Sequence, residues 1–265
     1  MPVADLGRVS LRYEWNGTTS QPVIVFVNSL GSSLHMWDKI CPGFEQRYRI
    51  LRYDARGHGL SSVPPAPYTI AELARDLLGL LDHLGLDQVH LCGLSVGGLI
   101  GMWIGLHEPQ RVRSLILSNT AARIGTREGW ADRINAVREQ GMGPIAKATL
   151  GRWFTPRFQT DHSLEMDAIR LMLEKTPAEG YVGHCYALAD ADFRKEIVGI
   201  RARCLIIAGT HDPATTPDDA RAMHAAIPNS EYVELDASHL SAWERPGDFQ
   251  RVVLHFLADQ EPNHG

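Results

Sequence analysis

The sequence predicts an α/β fold: a mostly parallel central sheet flanked by helices, with a helical cap inserted between two of its strands. Three observations carry that prediction. Short β-branched or aromatic runs alternate with segments of helical period from residue 23 to 117, and the alternation resumes from 204 to 257. The intervening stretch, roughly 123–194, contains no convincing buried strand and is rich in helix formers. Finally, 265 residues with a 44% apolar fraction suffice for one large α/β core with an insertion.

Taken in order, Val9–Tyr13 alternates polar and apolar residues and reads as an edge strand. Val23–Val27 is a continuous β-branched and aromatic run, as in a strand buried on both faces. Arg49–Tyr53 is a third strand, ending at Asp54. Ile70, Leu73, Ala74, Leu77, Leu81 and Leu84 then recur at helical spacing, and Gly85 ends that helix. Val89–Cys92 is a strand, Gly97 to about Leu106 a helix, and Val112–Leu117 the next strand. In the cap, Trp130, Ile134 and Val137 fall four and three apart, and Ile169, Leu171, Met172 and Leu173 mark a second helical segment. Cys204–Ala208 returns to the sheet, followed by a helix over Asp218–Ile227, a last strand at Tyr232–Leu235 and a closing helix from Phe249 to Leu257. Residues 1–122 and 195–265 are thus expected to form the core and 123–194 the cap. The polar tail, Asp259–Gly265, is expected to fray.

Composition narrows the function. The formal net charge is −5, from 26 basic and 31 acidic side chains, which gives no hint of a nucleic-acid partner. The N-terminal residues lack the basic head and apolar run of a secretory signal, and no apolar run reaches membrane-spanning length, so a cytoplasmic location is expected. Cys41, Cys92, Cys185 and Cys204 are scattered without C-x-x-C spacing, which argues against a zinc site or a disulfide scaffold and for buried thiols. Neither a metal nor an organic cofactor is expected. Self-association is left open.

The sharpest local signal is Gly93-Leu94-Ser95-Val96-Gly97-Gly98, a G-x-S-x-G motif with a strand before it and a helix after it. A serine on such a turn projects its hydroxyl, the flanking glycines leave room for close approach, and the helix aims its amide end at a developing negative charge. Serine is a weak nucleophile and needs a base. Of the 12 histidines, His239 lies just after the last expected strand, at the carboxyl edge of the sheet shared with Ser95. The acid should come between them in chain order, and Asp212 follows the strand ending at Ala208. Asp236 is a rival, but its closeness to His239 in sequence leaves it little reach around the ring. The amides of Val96 and Leu30, the latter on the loop after Val27, are expected to form an oxyanion hole, with Ser29 as a further hydroxyl contact or a turn residue. Asp54, Arg56 and His58 read as hydrogen-bonding groups that hold a Gly-rich loop beside the oxyanion loop, not as a second catalytic cluster.

The Asp54-Ala55-Arg56-Gly57-His58-Gly59, Gly93–Gly98, Gly209-Thr210-His211-Asp212 and Ser238-His239 segments together resemble the α/β-hydrolase family over nearly the whole chain. Within that family, Asn28-Ser29-Leu30-Gly31, Met36-Trp37 and Ala237-Ser238-His239-Leu240-Ser241 are similar to the 3-oxoadipate enol-lactonases, although Ser238 stands where alanine is more usual. The resemblance implies a carboxylic-ester hydrolase that opens 3-oxoadipate enol-lactone to 3-oxoadipate in the β-ketoadipate pathway of aromatic catabolism. Whether water attacks through an acyl-enzyme or directly stays open. The implied substrate is a small lactone with a carboxylate arm, which needs a cationic or strongly hydrogen-bonding partner. Arg133, Arg138, Lys147 and Arg152 are the cap candidates, and Trp130, Met142, Trp153 and Phe154 are candidates for an apolar wall. A C–C hydrolase or carboxylesterase with the same triad is the main alternative, followed by a serine-triad perhydrolase and, from a different class, a non-catalytic ligand receptor on the same fold. Dehalogenation is disfavoured because the turn offers Ser95 rather than an aspartate.

Overall fold

The computed structural model describes residues 1–258, so the expected fraying of 259–265 lies outside the described residues. Eight strands form one sheet: β1 (Val3–Asp5), β2 (Ser10–Asn16), β3 (Val23–Val27), β4 (Arg49–Tyr53), β5 (Val89–Leu94), β6 (Val112–Ser118), β7 (Arg203–Gly209) and β8 (Ser230–Leu235). Their spatial order is β1-β2-β4-β3-β5-β6-β7-β8. β1 and β2 pair antiparallel, β2 pairs antiparallel with β4, and every pairing from β4 to β8 is parallel. The segment expected at the edge is therefore internal, because the three residues of β1 cover it. So short a strand carries too little pattern to be read from sequence.

Side-chain alternation on the central strands builds two cores. Val23, Val25 and Val27 of β3 join a cluster with α2 (Ile70–His83), α3 (Val96–His107) and α9 (Pro217–Ala226). Ile24 and Phe26 face the other way, toward α1 (Cys41–Phe44) and α11 (Pro246–Ala258). β7 repeats the division, with Cys204, Ile206 and Ala208 in one cluster and Leu205 and Ile207 in the other. Burial on both faces explains why these strands read as unbroken apolar runs. The ends of α2 follow from local chemistry: Thr69 and Glu72 form a reciprocal capping box, and Gly85 just beyond the helix takes φ 66°.

Between β6 and β7 the chain forms α4 (Arg127–Gln140), α5 (Met142–Trp153), α6 (Pro156–Asp161), α7 (Ser163–Glu174) and α8 (Ala178–Asp190). Gly141, at φ 73°, separates α4 from α5. A short α10 (Ser241–Glu244) follows the loop after β8. The four cysteines are buried and free, and no helix among the described residues is long and apolar enough to cross a membrane.

Candidate active site

The carboxyl ends of β3, β5, β6, β7 and β8 share one edge of the sheet because these strands run parallel. The loops leaving that edge carry Leu30, Ser95, Asn119, Asp212 and His239. Ser95 occupies the turn from β5 into α3 with φ 58° and ψ −117°, a sparsely populated conformation costing about 1–3 kcal/mol that the surroundings must hold in place. The Ser95 N–H donates to Ser118 O at 3.1 Å, and its carbonyl accepts from Thr120 Oγ1 at 2.7 Å. The flanking glycines are required by close backbone approach. A Cβ on Gly93 would lie 2.2 Å from Gly97 O, and one on Gly97 would lie 2.2 Å from Val27 O.

Asp212 and His239 meet across the tops of β7 and β8. His239 Nδ1 lies 2.8 Å from Asp212 Oδ2, and both residues are buried. The other donors to Asp212 are the Ala214 N–H (2.8 Å) and Thr215 N–H (3.1 Å) on Oδ1, and Thr215 Oγ1 (2.8 Å) and Asn119 Nδ2 (3.1 Å) on Oδ2. Burial pushes the Asp212 carboxyl up, but the neighbouring imidazole and the hydrogen bonds from His239 and Thr215 outweigh it and hold the group at about 2. Asp212 is thus ionised across the neutral range and fixes His239 Nδ1 as a donor, which turns Nε2 into the basic nitrogen. The rival, Asp236, is exposed and binds His211 and Arg245 instead.

A cavity of about 200 Å³ connects the sheet edge with the underside of the cap. It brings together Ser29, Leu30, Ser95, Trp130, Arg133, Arg152, Trp153 and His239, along with Ile124, Gly125, Thr149, Tyr181, Leu188 and Ala214, which the sequence reading did not select. The neighbouring loop amides are engaged: the Ser29 N–H approaches Met36 Sδ at 3.3 Å, and the Gly31 N–H donates to His58 Nε2 at 2.9 Å. Among the described residues no protein group accepts from the Leu30 or Val96 N–H. The Asp54–Gly59 loop has the supporting place expected of it. Asp54 accepts from the Leu34 and Leu60 amides, Arg56 pairs with Asp76, and burial pushes His58 down to about 4, so it stays a neutral acceptor.

Four of the side chains expected to bind substrate do not line the cavity. Arg138 is five positions beyond Arg133, which rotates it away from the Trp130–Arg133 face of α4; it is exposed and donates to Tyr186 Oη at 3.3 Å. Lys147 is exposed on α5, opposite the Thr149–Arg152–Trp153 face. Met142, at the start of α5, is buried in the core cluster one face of the sheet shares with α4 and α8. Phe154 follows the last turn of α5 in extended conformation and stacks on Phe158 with ring centroids 5.2 Å apart.

Arg133 and Arg152 remain as the cavity's charged side chains besides any charge on His239; no aspartate or glutamate is in its lining. Arg133 Nη1 donates to Tyr181 Oη at 3.2 Å and its guanidinium lies over the Trp130 ring, while Arg152 Nη2 donates to Thr149 Oγ1 at 3.3 Å. Neither forms an ion pair among the described residues. Burial first, and then repulsion from Arg133, lowers the pKa of Arg152.

A family model for the alpha/beta hydrolase fold matches residues 22–246. The chain is 42% identical over 245 residues to 3-oxoadipate enol-lactonase 2 of Acinetobacter baylyi, covering 92% of each chain. It is 38% identical to 3-oxoadipate enol-lactonase 1 of the same organism over 94% of this chain and 93% of the relative. The crystal structure of the enol-lactonase from Burkholderia xenovorans LB400 superposes with a TM-score of 0.95 at 42% identity, covering 97% of this chain and all of that one, 100%.

Proposed function

The chain belongs to the α/β-hydrolase family, and within it to the 3-oxoadipate enol-lactonases, and from that premise we propose that it hydrolyses 3-oxoadipate enol-lactone to 3-oxoadipate in the β-ketoadipate pathway, with Ser95 as nucleophile, His239 as base and Asp212 as the acid that orients the base. Beyond family membership, one observation carries the substrate assignment. Two arginines without carboxylate partners share a small cavity with Ser95 and His239. Leaving such charges uncompensated is costly unless an anion completes them, and a guanidinium matches a carboxylate in a bidentate fashion.

In this reading Arg152 and Arg133, with Tyr181, hold the carboxylate arm, and Trp130 and Trp153 flank the ring. The lactone carbonyl then faces Ser95 Oγ. His239 Nε2 takes the Ser95 proton as Oγ bonds to the carbonyl carbon, and the amides of Leu30 and Val96 receive the oxyanion. Collapse of the tetrahedral adduct breaks the ring C–O bond. The enolate leaves still tethered to the acyl chain and takes the proton from His239. Water, deprotonated in turn by His239, attacks the acyl carbon, and Ser95 Oγ departs with that proton. Tautomerisation of the released enol to the ketone pulls the sequence forward. A cytoplasmic location, in keeping with four unpaired thiols, is part of the same proposal.

The test is a comparison of kcat/KM for the enol-lactone, for p-nitrophenyl acetate and for a vinylogous diketone, in the parent enzyme and in Arg152→Gln and Arg133→Gln. The parent should favour the lactone by orders of magnitude. Loss of a charged hydrogen bond to the arm should cost about 10- to 100-fold on the lactone and little on the neutral ester. A parent that prefers the diketone or the neutral ester contradicts the assignment.

A further inference from the structure

Asn119 is the first residue beyond β6 and is 1% exposed. Among the described residues only it and Ser95 combine a side chain with a positive φ, here 43°. Its backbone N–H donates to Ile207 O at 2.8 Å. Nδ2 donates to Asp212 Oδ2 and to Ser238 O, both at 3.1 Å. Oδ1 accepts from Ser118 Oγ at 2.9 Å and from Ser241 Oγ at 2.5 Å. The orientation of the amide follows from its partners: an ionised carboxylate and a backbone carbonyl can only accept, so the nitrogen must face them and the oxygen must face the two hydroxyls. Both donors and both lone pairs of this amide are used.

These partners are not scattered. One is the acid, and two others, Ser238 and Ser241, bracket His239 in the chain. We propose that Asn119 is a positioning residue for the hydrolytic reaction: its side chain fastens the Asp212 loop to the His239 loop, so that carboxylate and imidazole are held in one register at the top of β6. The inference rests on the triad reading above. Asn119 does not line the cavity, so it has no direct contact through which to bind substrate. Without its amide, Asp212 keeps its Thr215 and Ala214 donors and stays ionised. The loss falls on the alignment of the base, where a displacement of about 1 Å can cost on the order of 100-fold in rate.

Two substitutions separate the side chain from the turn. Asn119→Gly tolerates the positive φ and deletes the amide. Asn119→Asp keeps the shape but sets an acceptor against Asp212 and Ser238 O. Steady-state kinetics on the enol-lactone and on p-nitrophenyl acetate, with kcat/KM followed against pH, should show kcat lowered about 10- to 100-fold on both substrates by Asn119→Gly, with KM within about two-fold of the parent. In Asn119→Asp the second carboxylate favours the imidazolium, and the acid limb of the profile should move to higher pH. Parent-like kcat in Asn119→Gly overturns the proposal. If that variant does not fold, Ser241→Ala, which removes one donor to Asn119, decides: a smaller fall in kcat at constant KM supports the proposal and parent kinetics overturn it. Ser95→Ala, assayed alongside, keeps the two readings apart. An active Ser95→Ala removes the triad itself, whereas an inactive Ser95→Ala beside a parent-like Asn119→Gly removes only the role of Asn119.

Discussion

Asp212 illustrates how one side chain draws its properties from several elements. Its charge is maintained first by the neighbouring His239 imidazole and then by Thr215 of its own loop, while Asn119 and His239 together fix its direction. Its pKa is depressed, so the stability it contributes is present above the ordinary aspartate range and is lost only as pH falls toward about 2. Acid inactivation at milder pH must therefore come from other groups. Asp212→Asn keeps the shape but not the charge, and the amide can present either end to His239. It should lower kcat by about 10²- to 10⁴-fold with the fold retained, as read by single-turnover kinetics and circular dichroism; kcat within a few-fold of the parent would show that His239 does not depend on it. Ser95, Asp212 and His239 could be picked out as candidates from the sequence because each lies within a few residues of the end of a strand with a readable pattern. Asn119 was not, since its partners come from four places along the chain and no local motif surrounds it. The choice between Arg133 and Arg138, or Arg152 and Lys147, hinged on helix rotation. A signal did exist: Trp130 and Arg133 are three apart, as are Thr149 and Arg152, and such pairs share a helix face.

At the scale of elements, the base loop is tied to the cap as well as to the core. Ser238 Oγ donates to Arg152 O at 2.8 Å, and the Leu240 N–H donates to Trp153 O at 2.9 Å. On α10, the Glu244 carboxylate accepts from the Ser238 N–H at 3.0 Å and from Thr155 Oγ1. The end of α5 therefore carries cavity side chains and grips the His239 loop with the same few residues. Glu244→Ala strands the buried Ser238 N–H, a loss of about 1–3 kcal/mol. Calorimetry should show Tm lowered by several degrees, and kcat on the lactone should fall more than kcat on p-nitrophenyl acetate, because in the proposed binding mode only the lactone has a carboxylate for Arg152. Unchanged Tm would mean that the strap holds nothing. Neither this strap nor β1 could be read from sequence. Both depend on single contacts between distant segments, whereas the helices and buried strands advertised themselves through periodicity over many residues.

Across the whole molecule, the parallel sheet is what gathers the chemistry. Residues from positions 30 to 239 converge only because β3, β5, β6, β7 and β8 present their carboxyl ends at one edge, and two apolar clusters hold that edge rigid from both faces. The alternation of strands and helices announced a sheet of this kind, and chain order in such sheets supplied the triad assignment. The pairing order, with β4 between β2 and β3, is a property of the closed structure and has no local signature. What the convergence must achieve is an activated Ser95. Diisopropyl fluorophosphate reports on that hydroxyl, since Oγ attacks phosphorus, fluoride leaves and His239 takes the proton. Peptide mapping of the inhibited enzyme should place a single diisopropylphosphoryl group on Ser95, formed in step with the loss of enol-lactone turnover and absent from His239→Ala. An unlabelled Ser95 in fully inhibited enzyme, with the adduct on another residue, would contradict the account.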